Sequence, residues 1–177
     1  MPERERDPGG RPLNARPRDG LGRPLPRGAQ GVARVADDLA LPPAESLAEA
    51  QRLLDAGLPF HAHEVLEGSW KSAPEPQRSL WQGLAQLAVG LTHALRGNPS
   101  GAITLLRRGR NRIADYTAAP PYDIDVAGLM AWADGLIIDL AAADQQQPAV
   151  AVPVLTLPDC GSDAGAQRVN GPRSGGG

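Results

Sequence analysis

Aromatic residues make up only 3% of this 177-residue chain, and cysteine occurs once, at Cys160. A lone cysteine excludes an intramolecular disulfide and any CxxC metal knuckle. With so few aromatics, core packing falls to Ala and Leu, which suits helices better than strands. Strand signals are missing outside the C-terminal tail. No apolar stretch is long and clean enough to span a bilayer, and the opening residues MPERERDPGGRP lack the apolar run of a signal peptide. Net charge is -2, which gives no global attraction to nucleic acid or to an acidic membrane. A cytoplasmic protein without membrane association is the expectation.

Glycine and proline are abundant instead. The 21 Gly and 18 Pro exceed what a compact helical domain holds, so they are expected in tails. Residues 1–42 read as a Pro/Gly/Arg-rich arm. Up to Ala36 this arm carries a net charge of +4, whereas residues 37–147 carry -6. Two readings stay open for it. It is either a disordered leader or a strip pinned across the acidic domain by Leu21 and Leu25 of GLGRPLP. Residues 146–177 read as a flexible tail with a short extended piece at Val150–Leu157. The folded domain is expected over residues 43–145.

Within that domain the periodicity is helical. Pro42 and Pro43 precede AESLAEAQRLLDAG, whose leucines recur at helical spacing until Gly57 stops the run. Pro59 opens a second helix that runs to Trp70, and a third covers about Pro76 to Arg96. Gly97, Asn98 and Pro99 then supply a stop, a cap and a first-turn residue for a fourth helix, to about Thr117. Asp125 caps a fifth, VAGLMAWADGLIIDLAAAD. The fold class is therefore all-α, an antiparallel bundle of about five helices with disordered or extended tails.

The segment FHAHEVLEGSW, Phe60 to Trp70, concentrates the chemistry. On a helical wheel His63 and Glu67 fall inside the apolar arc of Phe60, Leu66 and Trp70, with Glu64 at its edge and His61 pointing away. A carboxylate on a buried face needs a partner. The third helix offers one. It has no charged residue between Arg78 and Arg96; Leu80, Leu84, Leu87, Leu91 and Leu95 form one stripe. Gln82, Gln86 and His93 fall on nearly the opposite side, flanked by Gly83 and Gly90, which admit a close backbone.

With those residues in view, the chain resembles a small uncharacterised all-helical bacterial family, domain of unknown function 309. The resemblance rests on LLDAGLPFHAHEVLEGSW, on LWQGLAQLAVGLTHALRGNPSGA and on LLRRGRNRI, about a third of the chain. It implies an all-α domain whose motif maps to His63, Glu64, Glu67, Trp70, Gln82, Gln86, His93, Gly97, Asn98 and Gly101. It implies no activity.

Two functional classes follow. In the first, His63, Glu64, Glu67, Gln86 and His93 form a buried hydrogen-bonded network, with Trp70 and Gln82 beside it, in a non-catalytic binding or scaffold module. Protein partners or self-association suit this reading. In the second, His63 and Glu67 at i, i+4 join His93 to hold a divalent metal in an enzyme, with hydrolysis the expected reaction. The zinc-protease HExxH spacing has Glu67 where its second His belongs, and the paired Glu-x-x-His of di-iron bundles is absent. Arg107, Arg108, Arg110 and Arg112 spread widely around the fourth helix with no interleaved aromatics, so nucleic acid is not an expected partner.

Overall fold

Proline sits in the first turn of four helices, where its missing N–H costs nothing and its fixed φ suits the helix. The computed structural model describes residues 16–32, 41–143 and 149–158. Cys160, the first fifteen residues of the arm and the last nineteen of the tail lie outside the described residues. The helices are α1 (Pro43–Asp55), α2 (Pro59–Ser72), α3 (Glu75–Leu95), α4 (Pro99–Ile113) and α5 (Val126–Ala142). Gly57 and Gly97 follow α1 and α3 with φ of 73°, the left-handed geometry that ends a helix most easily at glycine. Asn98 accepts from the Gly101 N–H at 3.0 Å to cap α4, and Asp125 accepts from the Gly128 N–H at 2.9 Å to cap α5. Two short 3-10 turns, Ala114–Tyr116 and Pro121–Asp123, fill the α4–α5 connection.

These form an antiparallel helical bundle with α3 at its centre. Helix α3 packs on α2 and α4; α1 packs on α2, and α5 on α4. The stripe Leu80, Leu84, Leu87 and Leu91 is buried, with Leu95 packed at its edge. Trp81 is 1% exposed, its ring 6.1 Å from that of Tyr122. Leu54, Leu66, Leu106, Ile113 and Leu129 complete the core from the other helices. Glycine sets the approach of α3 to α4. A Cβ on Gly83 would fall 2.7 Å from Ile113 Cγ2, one on Gly90 would fall 2.8 Å from Leu106, and one on Gly109 would fall 2.8 Å from the Gly83 carbonyl. No helix among the described residues is long and apolar enough to cross a membrane.

Both flanking segments lie on the bundle where they are described. Residues 16–32 of the arm sit at Leu58, Phe60 and Arg96, through Gly20, Gly22 and Arg18 rather than through the expected apolar side chains of Leu21 and Leu25. Leu21 takes part through its carbonyl, which accepts from Arg96. Residues 149–158 run extended past α1 and α5. Gln51 donates to the Pro153 carbonyl and accepts from the Leu155 N–H, at 3.1 and 2.8 Å. Trp132 Nε1 donates to the Ala151 carbonyl, and Thr156 bridges Ile124.

One wheel assignment is overturned. His61, expected to point away from the apolar arc, is 1% exposed. Helix α2 lies between α1 and α3 and also meets the arm, so its buried arc is wider than one apolar stripe. His61, Val65 and Ser69, spaced four apart, are all buried.

Candidate functional site

Between helices α2 and α3 lies a groove of about 160 Å³, lined by His63, Glu67 and Trp70 from α2 and by Gln82, Ala85, Gln86 and Val89 from α3. The residues of each helix recur three or four apart, so each set faces across the interface. Trp70, Ala85 and Val89 provide apolar wall; the other four provide polar groups.

The polar residues form a short chain. His63 Nε2 lies 3.5 Å from Glu67 Oε2, and Lys71 Nζ lies 3.0 Å from Glu67 Oε1. The His63 and Glu67 side chains are 21% and 32% exposed, so the cluster is half-buried where the wheel had placed it fully inside. The reason is that the groove itself admits solvent. Burial pushes the His63 imidazole below its ordinary pKa; the Glu67 carboxylate and the Phe60 main chain oppose that shift, and Lys71 adds to it. Two buried polar atoms here make no hydrogen bond of ordinary geometry within the described residues: His63 Nδ1, although the Phe60 main chain acts on that ring, and Gln86 Oε1. An acceptor left in that state costs about 1–3 kcal/mol.

Glu64 is partly buried on α2 and is not among the groove-lining residues. His93 is placed elsewhere. Its Nδ1 is 2.9 Å from Asn98 Nδ2, and Gly101 packs against both side chains, so His93 belongs to the α3–α4 junction. It shares an angular position with Gln86 but stands seven residues farther along, about 10 Å up the helix axis. The expected ligand set of His63, Glu67 and His93 is therefore not assembled: among the described residues no group of three His, Cys, Asp or Glu could hold a metal ion. Sequence reasoning passed over Lys71, although Glu67 and Lys71 at i, i+4 are the favourable helical ion-pair order. Of the four arginines on α4, Arg110 makes a two-nitrogen pair with Asp134 of α5.

Residues 47–105 match the model of the family described as Domain of unknown function (DUF309). The match runs from α1 into α4 and contains every groove-lining residue. The uncharacterized protein YpuF of Bacillus subtilis (strain 168) is 46% identical over 73 residues, which are 40% of this chain and 42% of that protein. The aligned part thus spans about two fifths of that relative's length. No solved structure matches.

Proposed function

We propose that this protein is a non-catalytic helical binding module and that the α2–α3 groove is its binding site. One observation carries the reading. Gln86 lines the groove and its Oε1 lies buried without a partner among the described residues, so a turn of this side chain would present the acceptor to a ligand's donor. The volume, about 160 Å³, is below the 300–1,000 Å³ range of pockets for drug-sized ligands and near that of a cavity taking one benzene-sized group. It therefore suits a single side chain presented by a protein partner, with an apolar body against Trp70, Ala85 and Val89 and a hydrogen-bond donor at its tip. Glu67 and Gln86 supply acceptors for that donor. The metal-dependent hydrolase reading has less support, because His93 is engaged at the α3–α4 junction.

Selection of a displayed peptide library on the purified protein tests the proposal. Retained peptides should lose roughly fivefold to a hundredfold in affinity on Gln86→Leu, the equivalent of one lost hydrogen bond at a buried acceptor. Trp70→Ala should weaken the same peptides by removing one wall. If no peptide is retained, or if retained peptides bind Gln86→Leu as tightly as the wild type, the groove is not a binding site.

A further inference from the structure

The described arm is a self-bonded turn organised by Asp19. Its Oδ1 accepts from the Leu21 and Arg23 amides at 3.0 and 2.8 Å, and its Oδ2 pairs with Arg23 Nε at 2.7 Å. Arg18 Nη1 donates to the Gly22 carbonyl at 2.6 Å, and the Leu25 and Val32 amides donate to the Pro17 and Arg18 carbonyls. This turn rests on the start of α2 and the end of α3. Gly22, at φ +74°, lies so close to the face of Phe60 that a Cβ would fall 2.2 Å from the ring. The Arg18 and Arg96 guanidinium carbons stand 5.3 and 5.9 Å from the centre of that ring, within cation–π range. Arg96 also donates to the Leu21 carbonyl.

His61 lies beside this contact, 1% exposed, with its ring edge-on to Phe60 at 5.7 Å. Neither ring nitrogen makes a hydrogen bond of ordinary geometry. The Gly20 main chain and the Asp19 carboxylate act on the ring from the arm. Asp19 is already committed to Arg23 and two amides. Arg18 and Arg23 from the arm and Arg96, just past the end of α3, gather at the same contact, and the His63 ring lies 5.7 Å from that of Phe60. Among the described residues, no charged side chain of α1 acts on the His61 ring.

We propose that residues 16–32 form a dissociable latch, an internal ligand seated on Phe60 and His61, and that protonation of His61 releases it. The seated turn covers an apolar ring and an imidazole that would otherwise meet water. A proton on His61 would bring a further cation into a contact that already holds Arg18 and Arg96, and Asp19, the carboxylate that acts on the ring among the described residues, is already paired. Undocking exposes the ring to water, where it takes up the proton freely. The sign follows from burial, which pushes His61 below its ordinary value against the opposing Gly20 and Asp19. Docking is at full strength above the open-state value of about 6.5 and weakens as pH falls from there toward the lower value of the docked ring. Between those two values the docking constant should fall about tenfold per pH unit. Asp19 does not share this window. Burial raises its pKa, but the hydrogen bonds and charge of Arg23 more than offset that and hold it below the ordinary carboxylate value. The latch does not depend on the groove being a binding site, although Phe60 also meets His63, which lines the groove.

The test is a pH titration of the full-length protein by NMR, from about pH 7.5 to about pH 5, across the ordinary histidine value. The amides of Leu21, Gly22 and Leu25 should move to exposed-chain positions with a midpoint that matches the His61 Cε1–H titration. In His61→Leu the arm should stay seated over the whole range. In Gly22→Val the arm should be released at every pH, and His61 should titrate near the ordinary value of about 6.5. Three results would overturn the proposal: arm signals that stay fixed while His61 titrates, release in His61→Leu with the wild-type midpoint, or an unchanged His61 titration in Gly22→Val. Should His61→Leu fail to fold, the wild-type and Gly22→Val titrations decide the matter between them.

Discussion

Gly109 and Gly135 make a controlled pair for the claim that glycine sets the α3–α4 approach. Both lie inside helices, so replacing either by Ala should gain about 0.5–1 kcal/mol from backbone entropy and helix propensity. At Gly135 a Cβ meets nothing within 4 Å, so the gain should be realised in full. At Gly109 the new methyl would lie 2.8 Å from the Gly83 carbonyl oxygen and 3.0 Å from the Leu87 side chain. A side chain can rotate aside, but the Gly83 carbonyl is main chain bonded within α3, so the two helices must move apart. Overpacking of that kind costs about 1–3 kcal/mol, which outweighs the propensity gain. Urea unfolding of both variants should show Gly135→Ala more stable than wild type and Gly109→Ala less stable, with unchanged slopes. The two should differ by about 1–3 kcal/mol. Equal stabilisation by both would refute the close-approach argument.

Other substitutions read out the remaining contacts. Asn98→Ala removes the α4 cap and should cost about 1 kcal/mol in a thermal or urea melt. Glu67→Ala should cost less than about 1 kcal/mol, since its partner Lys71 is 65% exposed and the pair is partly solvated; a loss above about 2 kcal/mol would restore the fully buried network. Glu67→Gln removes the charge that favours protonated His63, so an NMR titration should show the His63 midpoint fall below its wild-type value. Because burial already holds His63 low, any stability tied to its neutral form is present above about pH 6.5 and lost as pH falls through its folded value. Gln51→Leu leaves the Leu155 N–H without its acceptor, and hydrogen exchange at that amide should accelerate while the helices stay protected.

The helices were legible because their ends are written in single residues. Pro43, Pro59 and Pro99 start helices, Gly57 and Gly97 end them, and Asn98 and Asp125 cap them by the hydrogen bonds their residue types predict. The leucine stripe of α3 and the pairing of His63 with Glu67 are likewise helical spacing made solid. What spacing could not give was height and depth. A wheel projects the helix axis to a point, so Gln86 and His93 coincide in projection while they stand about 10 Å apart along α3. Depth fails for a related reason: the buried arc of α2 depends on how many neighbours reach it. Three do, which buries His61, while the groove opening leaves Glu67 half in water. The contribution of the arm was open in the sequence because GLGRPLP carries only two apolar side chains. Its seat comes instead from Gly22 against Phe60 and from main-chain bonds, which composition does not register.

Separating the motif by position changes what the family match can explain. Gly97, Asn98, Gly101 and His93 build one junction: Gly97 turns the chain, Asn98 caps α4, and Gly101 leaves space that a Cβ would take from Asn98 and His93. Such residues are accounted for by the fold and call for no ligand. Among the groove residues Trp70 packs against the core and Glu67 pairs with Lys71, whereas Gln86 is not accounted for in that way, because a half-open groove with an unpartnered buried Gln86 oxygen does nothing for stability that an apolar contact would not do better. Both sets fall inside residues 47–105, whereas arm residues 16–32 and strap residues 149–158 fall outside. A binding role carried by the groove is therefore to be sought in the matched region at large, and a pH-sensitive latch only in chains that carry this arm. Grafting residues 1–42 onto a relative that has the groove and lacks the arm would separate the two properties. Peptide binding should persist in the graft, and the acid-released arm should appear only where the recipient supplies the Phe60–His61 pair.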